Sequence, residues 1–184
     1  MQDKEVTIPK ALRELHGETA RLSTLVLVYL AGLIAAGVVV IHLLPVGLPA
    51  WKTLLVAILY LDIASGVVAN LSTSTNQYYK DKPKLRTVFA LLHVLHPAGF
   101  ILVLPQAWPY FVFTGLFTLG AIFLMDHFHD TERQHNLAAL LVVAGVMLSF
   151  FFALPYVFLY SFAPLFLMKL VLGFAVRRPR FYPG

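Results

Sequence analysis

Residues 24–44 read TLVLVYLAGLIAAGVVVIHLL and contain no Asp, Glu, Lys or Arg. About 20 apolar residues, at a rise of about 1.5 Å each, cross the hydrocarbon core of a bilayer as one helix. Arg21 precedes this run and Pro45 follows it. Similar runs recur at 52–71, 86–104, 109–126, 137–155 and 157–176. Pro and Trp punctuate them at Pro45, Pro49, Trp51, Pro105, Trp108, Pro109 and Pro155. The intervening segments near 45–51, 105–108 and 155–156 are short, which pairs neighbouring helices as antiparallel hairpins. The expected fold is all-α: a polytopic bundle of six transmembrane helices in three hairpins.

Composition agrees. Of 184 residues, 59% are hydrophobic and 12% charged, and the mean hydropathy is +0.79. A soluble domain carries about twice that charge. So much apolar surface cannot be hidden inside a water-soluble globule of this length. The chain has no cysteine, which excludes disulfides and thiolate metal sites. Its net charge of +5 sits mostly near span ends, so it reads as a topology signal rather than a nucleic-acid surface.

Three regions follow: a charged segment 1–23, the bundle 24–176 and a basic tail 177–184. Segment 1–23 is too charged for a cleavable signal. Within it, Ile8, Leu12, Leu15 and Leu22 share one helical face, which predicts a short helix lying on the membrane surface. Lysines and arginines gather before the first span, in the 72–86 loop, at Arg133 and at the C-terminal end; the opposite loops carry only Lys52. The positive-inside rule then places both termini in the cytoplasm, and a prokaryotic inner membrane is the expected location.

Ionisable groups at membrane depth cost a few kcal/mol and usually face the bundle interior with a task to perform (about 2.5–3.5 kcal/mol on insertion scales). Asp62 opens a helical stripe through Ser65, Gly66, Ala69, Asn70 and Thr73. Small residues on such a stripe serve helix packing, but a carboxylate needs a cation, a proton or a donor. His93 and His96 stand at i, i+3, on one face of the third span, beside Pro97. Proline there removes a backbone hydrogen bond and can kink the helix. At the end of the fourth span, MDHFHDTERQH places Asp126, His129 and Asp130 together if the helix continues. A solvated loop accounts for Glu132, Arg133 and His135. Lys169 lies deep in the last span, where its stem could snorkel to the headgroups.

Imidazole and carboxylate ligands suit a divalent transition metal, here Zn or Fe. The expected metal ligands are His93, His96 and His129. Asp62 and Asp126 are the expected catalytic carboxylates, and Ser65, Asn70, Thr73 and Asp130 the polar lining. The histidine-rich runs resemble the histidine boxes of membrane fatty-acid desaturases and hydroxylases in residue type alone. Those boxes use more histidines at other spacings on longer chains, so no residue role is carried over. Three functions are compatible with this inventory: a metal-dependent enzyme on a lipid or amphipathic substrate, a proton-coupled transporter or channel relaying protons through Asp62 and the histidines, and a non-catalytic membrane subunit. The bilayer is the one partner the composition implies.

Overall fold

A computed structural model describes residues 3–128 and 131–177. His129, Asp130 and the tail after Arg177 therefore lie outside the described residues.

The chain starts with a ribbon rather than the expected surface helix. Strand β1 (Glu5–Thr7) pairs antiparallel with β2 (Thr19–Arg21), Val6 opposite Ala20. Only Arg13–His16 forms an α-helical turn, α1. Two local features explain the difference. Val6, Thr7 and Ile8 are β-branched and favour extended backbone. Gly17 then adopts φ 81°, and a Cβ there would run into the Ser74 backbone, so a helix cannot continue past it. Leu12, Leu15 and Leu22 nevertheless stay exposed.

From Leu22 the described chain is helical. α2 (Leu22–Leu43) and α3 (Ala50–Leu71) form a hairpin closed by a 3-10 turn at Leu44–Val46 and Gly47 at φ 68°. Gly32 lets the two helices meet, because a Cβ there would strike the Ser65 hydroxyl and the Leu61 carbonyl. Ser72 leaves helical geometry at ψ 148° and caps the short α4 (Thr73–Tyr79). Next come α5 (Pro83–Leu92), α6 (Leu95–Val103), α7 (Trp108–Met125) and α8 (Thr131–Ser149). The final span combines a 3-10 turn (Val157–Ser161), α9 (Phe162–Leu167) and a π-helical segment (Met168–Ala175).

Among the described residues, five stretches are long and apolar enough to cross a membrane: Leu22–Val46, Ala50–Leu71, Pro83–Val103, Pro105–Met125 and Val157–Ala175. The fifth expected span, 137–155, is represented by α8, but its first turns, 131–136, are polar, which leaves too short an apolar stretch to count. After Pro155 the last span begins at Val157 and runs to Ala175.

The last span is the core of the bundle. Phe162, Phe166, Leu167, Leu170, Val171 and Phe174 are buried. Phe162 packs edge-on against Phe100 and Phe111, at 4.8 and 5.2 Å between ring centroids. Both ends of this span are held by polar side chains from its neighbours. Tyr60 donates to the Phe158 carbonyl at 3.0 Å and Tyr110 to that of Leu159 at 2.8 Å. At the other end, Arg86 Nη2 donates to the Ala175 carbonyl and Asn76 Nδ2 to that of Val176, each at 2.7 Å. The Gln134 side-chain oxygen accepts the Arg177 amide at 2.9 Å. At the C-terminal end, the Ala175 and Val176 carbonyls that the helix leaves without an intrahelical donor are thus satisfied by side chains, as an apolar solvent demands.

Candidate metal centre

Two irregularities in the spanning helices meet at one carboxylate. The first is the break between α5 and α6. Pro97 has no N–H, so the His93 carbonyl loses its usual donor four residues on. The His96 amide takes that carbonyl instead, at 3.2 Å, and His93 and Val94 also bond three residues back, to Ala90 and Leu91. This tightened turn brings the imidazoles of His93 and His96 face to face, with centroids 5.0 Å apart and planes within 4°. The second irregularity is the π segment. A π turn is wider than an α turn and tends to occur at functional sites. It carries Lys169, whose backbone carbonyl accepts Asn70 Nδ2 at 3.0 Å.

Asp62, on α3, receives both. Its Oδ2 accepts from His96 Nε2 and from Lys169 Nζ, each at 2.5 Å. These residues fall near the middle of the spans Ala50–Leu71, Pro83–Val103 and Val157–Ala175. Among the described residues, Asp62, His93 and His96 form a group able to hold a metal ion, one ligand atom from each, all within 4.8 Å of one another.

The donor set fits a metal. His93 donates from Nδ1 to the Phe89 carbonyl at 2.7 Å. That bond fixes the tautomer and leaves Nε2 as the lone-pair nitrogen, the usual arrangement of a metal-bound histidine. His96 Nδ1 is buried and has no hydrogen-bond partner. The Phe89 ring lies 4.4 Å from the His93 ring, and the Phe166 ring 5.8 Å from that of His96. The histidines are therefore walled by aromatic surface while Asp62 is not: its side chain keeps 40% of its surface exposed. Part of the centre's surface is therefore accessible at Asp62. On the inner side, His93, Gly115, Thr118 and Phe166 line a void of only about 10 Å³, room for about one water molecule.

The other expected site residues are placed as follows. Ser65 points away, toward Gly32 on α2. Asn70 supports Lys169 through its carbonyl. Thr73 lies beyond the break at Ser72, exposed on α4, and is no longer on the Asp62 stripe. Asp126 caps the end of α7, where its Oδ1 lies 3.5 Å from Arg86 Nε and 3.9 Å from Arg177. It is part of an ion-pair cluster and not of the Asp62 group. His129 and Asp130 lie outside the described residues. Lys169 was the residue missed. It does not reach for the headgroups: it is 2% exposed and bonded to Asp62. Gly66 shows why it can enter, since a Cβ there would overlap the Lys169 stem. A glycine four residues after a mid-span aspartate, together with a lone lysine in an apolar run, was the available signal.

No family model, curated protein or solved structure matches the chain.

Proposed function

We propose that the protein is a membrane metal centre in which Asp62, His93 and His96 bind one divalent transition ion, Zn or Fe, and that it acts as an enzyme on a lipid or other amphipathic substrate. The observation that carries this reading is the grouping of the three ligand atoms within 4.8 Å. Two imidazoles and one carboxylate leave open coordination positions on a metal. A metal held this way supplies an activated water or oxygen species. His93, with its tautomer fixed by Phe89, orients the ion, and Asp62 contributes the negative charge. The exposure of Asp62 favours a substrate arriving from outside the bundle, because the inner void is too small for anything but water. Cytoplasmic termini and a prokaryotic inner membrane belong to the same proposal and rest on the Lys and Arg bias alone.

The test is incubation of the zinc- or iron(II)-loaded protein with phospholipid vesicles, followed by mass spectrometry of the lipids. The expected result is a new lipid product that Asp62→Asn abolishes. Unchanged lipids with both metals would remove the enzyme reading.

A second reading, proton-coupled transport, is favoured by the sharing of one carboxylate oxygen between His96 and Lys169. Three titratable groups in hydrogen-bond contact at membrane depth are the parts of a proton relay. Proton uptake by proteoliposomes under an imposed pH gradient, lost in Asp62→Asn, would select it.

A further inference from the structure

We propose that Lys169 is a built-in competitor of the metal: its ammonium and a divalent ion are alternative occupants of Asp62, so the centre holds one or the other. This rests on the metal reading above and adds its regulation.

Three observations carry it. Lys169 Nζ lies 2.5 Å from Asp62 Oδ2, the carboxylate of the metal-capable group. The lysine is 2% exposed, so its ammonium is committed to that carboxylate rather than shared with solvent. Its path is built in: the stem crosses Gly66, where a Cβ would overlap it, and the Asn70 side chain bonds its backbone carbonyl at 3.0 Å. The fold therefore delivers a cation to the place where a metal would bind.

Charge decides the exclusion. Asp62 and one ammonium balance. Adding a divalent ion leaves two cations sharing one carboxylate in an environment that screens poorly, and repulsion between them is strong there. The two histidines are neutral ligands and do not offset it. A lysine is a compact charge on a flexible stem, so it can withdraw as the metal enters. Asp62 keeps an exposed side through which an ion can approach. With no metal, the ammonium gives the half-buried Asp62 carboxylate a counter-charge mid-span, where an unpaired charge would be costly. The empty state is neutral, whereas the metal-bound group carries a net charge of +1 and leaves the displaced ammonium without Asp62, so the affinity for metal is set below what the three ligands alone would give.

The experiment measures zinc and iron(II) binding to the full-length, detergent-purified protein at fixed pH and ionic strength by equilibrium dialysis. Wild type is compared with Lys169→Met, which keeps the stem length over Gly66 and removes the charge. The expected result is binding at least about tenfold tighter in Lys169→Met. Equal or weaker binding in that variant, with binding in the wild type, overturns the competition and leaves the metal centre standing. No binding in either protein overturns both. A second readout avoids any folding defect of the variant. Amine-reactive labelling of Lys169 in the wild type, mapped by mass spectrometry, should rise several-fold at saturating zinc. Labelling that zinc leaves unchanged contradicts displacement of the lysine.

Discussion

The ammonium of Lys169 and the imidazole of His96 meet on a single oxygen of Asp62, each 2.5 Å away, at the point where one spanning helix breaks and another widens into a π turn. Sequence distance hides this meeting: Asp62 and Lys169 are 107 positions apart. The contact requires the space left by Gly66. Gly66→Ala puts a methyl into the Lys169 stem, and the expected cost is about 1–3 kcal/mol, as for overpacking elsewhere. Thermal unfolding in detergent checks this. An unchanged midpoint would mean that the stem does not lie over Gly66.

Pro97 sets the histidine pair. Pro97→Ala returns an amide hydrogen to the His93 carbonyl and allows α5 and α6 to join as one helix. The two imidazoles then lose their stacked register against Asp62. Zinc affinity should fall about tenfold or more, the scale seen when groups orienting metal ligands are lost. Equilibrium dialysis reads this directly, and an unaltered affinity would show that the kink plays no part in the centre.

Asp126 and Asp62 should behave differently. Asp126 faces Arg86, which is buried and also bonds the Ala175 carbonyl. Asp126→Asn removes a counter-charge from that arginine. Because the Asp126 side chain is 35% exposed, solvent screens part of the loss, and about 1–2 kcal/mol of stability is expected to go. Metal content should not change. Loss of metal in Asp126→Asn would place this carboxylate in the centre.

The N-terminal ribbon should respond to pH through His16. This histidine is buried, its Nε2 lies 3.0 Å from the Tyr29 hydroxyl, and burial holds its pKa below the ordinary value. The folded form therefore resists protonation. Above about pH 6.5 both folded and unfolded states are neutral and the group has no effect. As pH falls below that value the unfolded state gains a proton first, so stability declines until the folded-state pKa is passed. Protection factors for amide hydrogen exchange across residues 5–21, taken relative to the intrinsic rate at each pH, should fall from pH 7.5 to 5.5. His16→Gln should flatten the response, and an equal response in that variant would assign it to another group.

The parts legible in the sequence were those that periodicity governs. Runs such as 24–44 are helices because of their length and apolarity, and the i, i+3 spacing of His93 and His96 places both on one face. The stripe below Asp62 was legible only as far as Leu71. It ends where Ser72 turns extended to cap α4, so Thr73 leaves it. Ser65 belongs to the other helix interface, because a stripe as wide as this one touches two neighbours. The ribbon was missed because spaced leucines suggested a helix, while the β-branched run at 6–8 and the left-handed Gly17 decided otherwise. The partner of Asp62 was missed for a different reason. Pairing between spans is set by depth and by local space, and neither has a period.

The most direct test of the centre is elemental analysis of the protein purified without chelators, beside a His93→Ala/His96→Ala double variant. The account predicts about one transition-metal equivalent per chain in the wild type and none in the variant. Wild-type protein that stays metal-free after dialysis against zinc or iron(II), while remaining folded, would contradict it.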